Sequence, residues 1–426
     1  MLAQALARRF SRLGLHYGWA VVAITFATTL VTAGAMGLPG ALILPLSREF
    51  GWNTEQISSA LALRILLYGL MAPFAASLID RYGLRRVILS AVFLIAAGLL
   101  LALKMNQVWH LVLLWGVVVG LGTGLTALVT SAIVATRWFS ERRGLVLGIL
   151  TASSATGQLV FLPLAAWLEQ RYGWRAALVP TLIGLAFAGA AVLLFMADRP
   201  SDVGLEPYGE CGRSARAAPP VGALGVLGEI SGSGAFWILA ATFFVCGLST
   251  NGLIQTHFIA LCSDYNVGAV AAASTLAMMG MFDFVGTIGS GWLSDRYDNR
   301  ALLFVYYGLR GLSLLYLPGS SFSIYGLSLF AVFYGLDWVA TVPPTARLTA
   351  QVFGRERAGV VFGWIFAAHM VGASFAAYGA GYSRSVLQTY LPAFYAAGAL
   401  CLVAASLVWL IEKRPATVAA AARAPA

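Results

Sequence analysis

Residues 80–86 read Asp-Arg-Tyr-Gly-Leu-Arg-Arg, and a related stretch, Asp-Arg-Tyr-Asp-Asn-Arg, stands at residues 295–300. The two copies lie 215 positions apart in a chain of 426 residues. The same offset brings further identical residues into register: Gly37-Leu38 with Gly252-Leu253, Glu141-Arg142 with Glu356-Arg357, Gly144 with Gly359, Gly148 with Gly363, and Gly157 with Gly372. One register along most of the chain indicates two homologous halves in parallel arrangement.

The composition is typical of a membrane protein. Hydrophobic residues make up 60% of the chain and charged residues only 10%, whereas a soluble domain carries about 25% charged residues. Stretches of 18 or more mostly apolar residues predict membrane-spanning helices. Twelve such stretches are found, at about 17–46, 57–79, 84–103, 108–136, 143–168, 175–196, 235–261, 267–293, 301–317, 322–346, 358–382 and 387–411.

The positive charge predicts the orientation of these spans. If both termini lie inside, 19 of the 27 Lys and Arg residues fall in cytoplasmic segments and five in outer ones. Lys and Arg are enriched in cytoplasmic loops, so we expect a multi-pass protein of the cytoplasmic (inner) membrane with both termini in the cytoplasm. The net charge of +10 then faces anionic lipid head groups, and no nucleic-acid partner is needed to explain it.

The polar segments divide the chain. Residues 198–234 are rich in Pro and charged residues and are interpreted as a flexible cytoplasmic linker. The predicted domains are therefore an N-terminal six-helix bundle at 1–197 and a C-terminal six-helix bundle at 235–414, with a disordered tail at 415–426. The four cysteines have no paired spacing, so neither a metal site nor any cofactor is expected.

At the repeated loop the sequence resembles the major facilitator superfamily over nearly its whole length. The family signature between spans two and three is Gly, three residues, Asp-Arg, one residue, Gly, and then basic residues. The first copy has Ala76 in the place of the leading glycine, and the second keeps Gly291 but has Asp298 where the first has Gly83. The resemblance implies an all-α membrane fold of twelve transmembrane helices in two six-helix bundles that are related by a pseudo-twofold axis.

The repeated loop also predicts a cytoplasmic gate between the halves. An aspartate at a helix end can bind arginines and positive helix N-termini of the opposite half. We expect Asp80 to face Arg357, and Asp295 to face Arg142. The alternative is that these charges only set the topology. The complete set of predicted gate residues is Asp80, Arg81, Gly83, Arg142, Arg143, Asp295, Arg296 and Arg357.

Within the superfamily, the chain is most similar to the monocarboxylate-transporter and oxalate–formate-antiporter branch. The resemblance rests on residues 137–148 before span five and on residues 236–247 in span seven. Asp283 fits an aspartate of that branch, but Thr287 stands where the branch has an arginine, and the span-one lysine of the branch is absent. These departures leave the substrate open.

Ionisable residues within predicted spans are the candidates for a polar cavity, because each costs about 2.5–3.5 kcal/mol to insert and needs a partner or water. Arg64 and Tyr68 are one helical turn apart, and a guanidinium can bind a carboxylate through two hydrogen bonds. Each candidate has a structural alternative, as an internal ion pair or a hydrogen-bonded core residue. The predicted substrate and proton site comprises Arg64, Tyr68, His257, Asp283, Arg310, Asp337 and His369.

The sequence therefore predicts a secondary transporter and not an enzyme. The expected partners are a small organic anion, with protons or a counter-substrate, and the functional unit is expected to be a monomer in the lipid bilayer. Export of an amphipathic or cationic compound, with the carboxylates as ligands, is the alternative. No His-Glu-x-x-His metal motif and no Gly-x4-Gly-Lys-Ser/Thr nucleotide loop occur in the sequence, which disfavours a membrane-embedded enzyme and ATP-driven transport. No catalytic residue and no metal ligand is predicted.

Overall fold

The computed structural model describes residues 2–126, 128–209, 223–354 and 357–411. The predicted disordered tail at 415–426 lies outside this part of the chain. Helices account for nearly all of the described residues, which form no β-strand; the one β-type contact is a bridge between Phe139 and Tyr208. The prediction of an all-α fold is confirmed.

The helices run up and down through the molecule in chain order. In the first half they are α1 (Leu2–Arg12), α2 (Gly18–Phe50), α3 (Thr54–Tyr82), α4 (Leu84–Ala102), α5 (Val108–Trp138), α6 (Arg143–Tyr172) and α7 (Trp174–Phe195). They continue as α8 (Ala223–Ile230), α9 (Gly234–Asp264), α10 (Ala269–Ser294), α11 (Asn299–Ser320), α12 (Ile324–Phe353), α13 (Ala358–Leu387) and α14 (Leu391–Leu410).

Ten helices of the described chain are long and apolar enough to cross a membrane. The second and fifth predicted spans coincide with α3 and α6, which are not among those ten but are 29 and 30 residues long. About 20 residues are sufficient to cross the hydrocarbon core. All twelve predicted spans are therefore helices of sufficient length.

Short polar signals set the helix boundaries. Gly51 ends α2 in the left-handed conformation with φ of 70°, which glycine adopts without steric cost. Asn53 then starts α3: its side chain accepts a hydrogen bond from the Gln56 amide at 2.7 Å, and the Gln56 side chain accepts one from the Asn53 amide at 3.1 Å. This reciprocal cap satisfies two backbone donors that a helix start leaves free.

Three membrane helices of the described chain contain interruptions. In α9 a π-helical segment, Leu248–Ile254, separates Gly234–Gly247 from Gln255–Asp264. In α5 a π-helical segment, Val112–Val119, is followed by a short helix, Gly120–Leu125, before the helix resumes at Leu128. In α12 the first helix ends at Asp337, residues 338–341 form a turn, and the second helix begins at Val342. Non-helical backbone at membrane depth is tolerated only where protein or a water-filled cavity satisfies it.

The two described ends of the predicted linker are folded, contrary to the expected flexible segment. Residues Pro200–Val203 form a 3-10 turn, and α8 is helical. Asp198 accepts a hydrogen bond from the Arg85 amide at 2.7 Å, and Tyr208 exchanges backbone hydrogen bonds with Trp138, Ser140 and Glu141. These contacts hold the start of the segment against the first half of the molecule.

Candidate functional site

A cavity of about 740 Å³ lies between the two halves. We call the end of the molecule that carries residues 80–86, 137–143 and 295–300 the basic end. The cavity wall reaches toward it, because Leu147 lies one turn after the start of α6 and Gly291 lies one turn before the end of α10. The first half contributes mainly hydroxyl groups to the wall, those of Thr29, Thr32, Tyr68, Thr123, Thr126, Ser131, Thr151 and Ser154.

At the opposite end the two halves are in contact. The Tyr378 hydroxyl of α13 donates to the Glu55 carboxylate of α3 at 2.7 Å, and the Glu55 amide donates to the Ser385 hydroxyl at 3.0 Å. A Cβ atom on Gly381 would lie 2.2 Å from the Ser58 hydroxyl oxygen, so only glycine permits this approach. The halves are thus joined at this end, while the cavity extends toward the basic end.

Asp283 lies on the cavity wall and is 9% exposed. One of its carboxylate oxygens accepts hydrogen bonds from the Val339 amide at 2.8 Å and from the Thr287 hydroxyl at 3.0 Å. Thr287 is therefore a direct hydrogen-bond donor to this carboxylate. Asp283 forms no salt bridge with any described residue.

Arg310 and Asp337 form a buried ion pair and do not line the cavity, contrary to the prediction. Arg310 is fully buried, and its Nε lies 2.8 Å from a carboxylate oxygen of Asp337. Its other nitrogens donate to the backbone carbonyls of Asp337 at 2.5 Å and Trp338 at 3.0 Å, and to the Cys246 sulfur at 2.9 Å. The guanidinium thus caps the carbonyl end of the first segment of α12, which explains why a charge is buried at this depth.

The two histidines differ in position. His257 is fully buried, and its Nε2 lies 2.7 Å from the Ala377 carbonyl; it does not line the cavity, so its prediction as a cavity residue is wrong. His369 does line the cavity. Its Nε2 donates to the Asn251 side-chain oxygen at 3.1 Å, and its ring stacks on Phe366 with centroids 5.7 Å apart.

Arg64 and Tyr68 are both at the interface of the halves. Tyr68 lines the large cavity and meets the ring of Phe366 from the other half edge-on, with centroids 6.3 Å apart. Arg64 is 3% exposed, and its Nη1 donates to the carbonyls of Ala35 at 3.3 Å and Met36 at 3.0 Å. Its Nε has no hydrogen-bond partner in the described chain. Among the described residues no carboxylate neutralises this buried cation.

Arg64 also lines a small cavity of about 10 Å³, which has room for about one water molecule. The opposite wall consists of Asn251, Gln255 and Thr256 of α9. Sequence reasoning missed these polar residues because none is ionisable. The available signal was two amides four positions apart, on one face of an apolar span.

The ion pairs at the basic end are not the predicted ones. Asp80 pairs with Arg137, and Asp295 pairs with Arg347; each pair lies within one half, whereas the predicted pairs joined the halves. Arg357 pairs instead with Glu229 of α8. The cavity reaches toward this end, so the two halves do not bring their charges together there.

The remaining predicted gate residues lie on this surface. Arg142 lies over the Tyr208 ring at 5.7 Å, Arg81 over the Tyr82 ring at 5.3 Å, and Arg296 over the Trp292 ring at 4.0 Å. The side chain of Arg143 lies outside the described part of the chain.

Gly83 connects α3 to α4 with φ of 90°. A Cβ atom there would lie 2.6 Å from a carboxylate oxygen of Asp198. Glycine is therefore required both by the backbone conformation and by this carboxylate, which sequence reasoning did not identify.

The comparisons with known proteins agree with this architecture. The Major Facilitator Superfamily profile matches residues 24–377. The chain is 26% identical over 397 residues to Monocarboxylate transporter 13 of Rattus norvegicus. This alignment covers 92% of this chain and 88% of that protein. It is 25% identical over 404 residues to an uncharacterized MFS-type transporter of Bacillus subtilis, and the alignment covers 93% of this chain and 95% of that protein. Monocarboxylate transporter 4 of Rattus norvegicus is 25% identical over 407 residues, with 93% and 83% covered.

The chain belongs to the Major Facilitator Superfamily. It is a multi-pass membrane protein that resembles monocarboxylate transporters, and its relatives indicate a secondary transporter and not an enzyme.

Proposed function

We propose that this protein moves a small organic anion, a mono- or dicarboxylate, across the membrane by proton symport or exchange through alternating access. The observation that supports this most directly is Arg64, a buried guanidinium at the interface of the halves with no carboxylate partner among the described residues. A buried charge costs several kcal/mol unless it is paired. An anionic substrate would supply the missing partner.

The shape of the cavity supports the alternating-access part of the proposal. The halves contact each other at the end opposite the basic end, through Glu55, Tyr378 and Gly381. We infer that the basic end faces the cytoplasm, since Lys and Arg are enriched in cytoplasmic loops. Both termini are then cytoplasmic, in the inner membrane, and the structure corresponds to an inward-open state. Bundles at 1–197 and 235–414 would rock about the cavity, within one monomer.

Closure of the basic end would exchange the observed ion pairs. In the outward-open state we expect Asp80 to leave Arg137 for Arg357, and Asp295 to leave Arg347 for Arg142. Each observed pair is at the surface, with Asp80 and Asp295 side chains 61% and 62% exposed. Exposed pairs contribute about 0–1 kcal/mol, so the exchange needs little free energy.

We take Asp283 and His369 as the candidates for the coupling proton, since both are ionisable side chains that line the cavity. Asp337 is already held by Arg310, which makes it less suited to this role.

Uptake into proteoliposomes tests the proposed function. Purified protein is reconstituted, and uptake of radiolabelled lactate, pyruvate and oxalate is measured with and without an inward proton gradient and in counterflow. We expect saturable uptake of at least one acid. Absence of counterflow with every carboxylate would overturn the proposal.

Variants of Arg64 test whether transport depends on the buried guanidinium at the interface of the halves. Arg64→Gln should weaken uptake roughly 10- to 150-fold, because a hydrogen bond to a charged group contributes about 1.5–3 kcal/mol, while Arg64→Lys should lose less. Arg48→Gln, at an exposed position in the last turn of α2, is the matched control and should transport normally.

One observation favours a second function. The Asp283 carboxylate lines the same cavity without a salt-bridge partner among the described residues, so it could bind a cationic or amphipathic compound for proton-coupled export. In that case dye-labelled cations, and not carboxylates, would be moved by the proteoliposomes, and Asp283→Asn would abolish their transport while Arg64→Gln would not.

A further inference from the structure

The small cavity beside Arg64 is built by both halves. Arg64 of α3 and Met36 of α2 form one wall, and Asn251 and Gln255 of α9 form the other. Met36, Asn251 and Gln255 also line the large cavity, so the small cavity is a recess in its wall. Gly40 makes the approach possible, since a Cβ atom there would lie 2.6 Å from the Gln255 carbonyl oxygen.

A chain of hydrogen bonds orients the side chain of Gln255. His369 Nε2 donates to Asn251 Oδ1 at 3.1 Å, and Asn251 Nδ2 donates to Gln255 Oε1 at 2.7 Å. The side-chain oxygen of Asn251 thus accepts from His369, and the side-chain oxygen of Gln255 accepts from Asn251. Gln255 Nε2, with two N–H groups, makes no hydrogen bond with any described residue. Gln255 is 8% exposed, so this free donor group belongs to a side chain that is more than nine-tenths buried.

Arg64 places a buried cation beside the same recess. Its Nη1 is used by two backbone carbonyls, but its Nε has no partner in the described chain. Buried donors without acceptors cost about 1–3 kcal/mol each. A recess lined by a cation and by an amide with free N–H groups has the chemistry of an anion site.

We propose that Gln255 is a second anion-binding residue, which together with Arg64 binds one carboxylate group of the substrate in this recess. One carboxylate oxygen fits the space of about one water molecule, and the rest of the substrate lies in the large cavity. Asn251 and His369 are positioning residues, since they fix which atom of the Gln255 amide faces the anion. This inference rests on the proposed transport of a carboxylate and adds that each half supplies one donor.

Two substitutions at Gln255 test the inference. Gln255→Glu replaces the donors by an acceptor and a negative charge, whereas Gln255→Met removes the donors and keeps a similar length. The affinities of the purified protein for lactate, pyruvate and oxalate are measured by thermal shift, and pyruvamide serves as the uncharged analogue of pyruvate. For each acid that binds the natural protein, we expect affinity for Gln255→Met to be weaker by roughly tenfold. The affinity for Gln255→Glu should fall by at least as much. The affinity of both variants for pyruvamide should not change.

The matched control is Gln107→Glu, which introduces the same change in an exposed loop and should leave every affinity unchanged. An unchanged affinity for the acids in either folded Gln255 variant would overturn the inference, and if Gln255→Glu does not fold, Gln255→Met decides. Failure of all three acids to bind the natural protein would overturn the proposed function itself. The two failures are therefore distinguishable.

Discussion

The two halves place different side chains at equivalent contacts between their helices. In the second half, Arg310 and Asp337 form a fully buried ion pair. The residues 215 positions earlier are Ile95 and Gly122, and they are also in contact, since a Cβ atom on Gly122 would lie 2.7 Å from the Ile95 side chain. An apolar contact in one half thus corresponds to an ion pair in the other. The backbone arrangement therefore does not require the charges.

The cavity walls differ in the same way. Tyr68 of the first half corresponds to Asp283 of the second, and Gly40 corresponds to Gln255. Tyr68, Asp283 and Gln255 line the large cavity. The first half therefore offers a hydroxyl and a glycine where the second offers a carboxylate and an amide. The duplicated halves have kept the fold and have separated their chemical roles, with the unpaired cation on one side and the acids on the other.

The close helix contacts are what the halves share. A Cβ atom on Gly157 would lie 2.2 Å from the Leu30 carbonyl oxygen, and one on the equivalent Gly372 would lie 2.1 Å from that of Phe244. Small residues at such positions let membrane helices approach closely. The repeated pair Gly157 and Gly372 therefore serves packing within each half.

The comparison of the two buried pairs predicts the largest effect. Arg310→Leu leaves Asp337 without its cation and two backbone carbonyls without a donor, so the folded state should lose roughly 3–5 kcal/mol. We expect most of the protein to be lost in fluorescence-detected size-exclusion chromatography. Ile95→Leu, at the equivalent position, should cost less than about 1.5 kcal/mol. A natural elution profile for Arg310→Leu would contradict the structural role of the ion pair.

The shared glycines predict an intermediate effect of equal size in both halves. Gly157→Ala and Gly372→Ala each place a methyl group against a backbone carbonyl, and overpacking of this kind costs about 1–3 kcal/mol. Both should lower the melting temperature of the purified protein by a similar amount. Gly148→Ala and Gly363→Ala are the controls, because a Cβ atom at these equivalent positions meets nothing within 4 Å. A loss in only one half would show that the halves do not share this packing.

The pair of Tyr68 and Asp283 predicts a difference in pH dependence. If Asp283 carries the coupling proton, Asp283→Asn should reduce proton-driven uptake roughly tenfold, equivalent to about 1.4 kcal/mol, and leave exchange at equal pH intact, since an amide does not titrate. Tyr68→Phe should retain the response to the gradient. Uptake is measured in proteoliposomes at several external pH values, where the natural protein should be faster at lower external pH. A retained pH response in Asp283→Asn would assign the proton to another group.

The surface ion pairs at the basic end predict the smallest effect. Asp80→Asn or Asp295→Asn removes an exposed pair worth about 0–1 kcal/mol, so stability should hardly change. Loss of the proposed closing contact should instead favour the inward-open state and slow turnover. A cysteine introduced by Gly148→Cys in the cavity wall should then react with maleimide roughly two- to fivefold faster. Asp264→Asn, which breaks the Asp264–Arg384 pair within one half at the opposite end, is the control. Turnover and labelling that both stay unchanged would remove the gate.

The sequence by itself determined the class of fold, the helices and the duplication. Hydrophobic length and the 215-residue register are local or repetitive properties, and burial in lipid makes a continuous apolar helix the necessary outcome. It also singled out Arg64, Asp283 and His369 as candidate site residues, because an ionisable group in a span needs a partner or water.

Only the tertiary structure decided which of these groups are satisfied. Arg310 and Asp337 lie 27 positions apart and neutralise each other, His257 is bound to a backbone carbonyl 120 positions away, and Asp80 pairs within its own half. Hydrogen-bond partners depend on how helices pack and on which end of the cavity is open. Neither is encoded in the spacing of residues along one helix, and for that reason the roles of Asn251 and Gln255 emerged only from the folded chain.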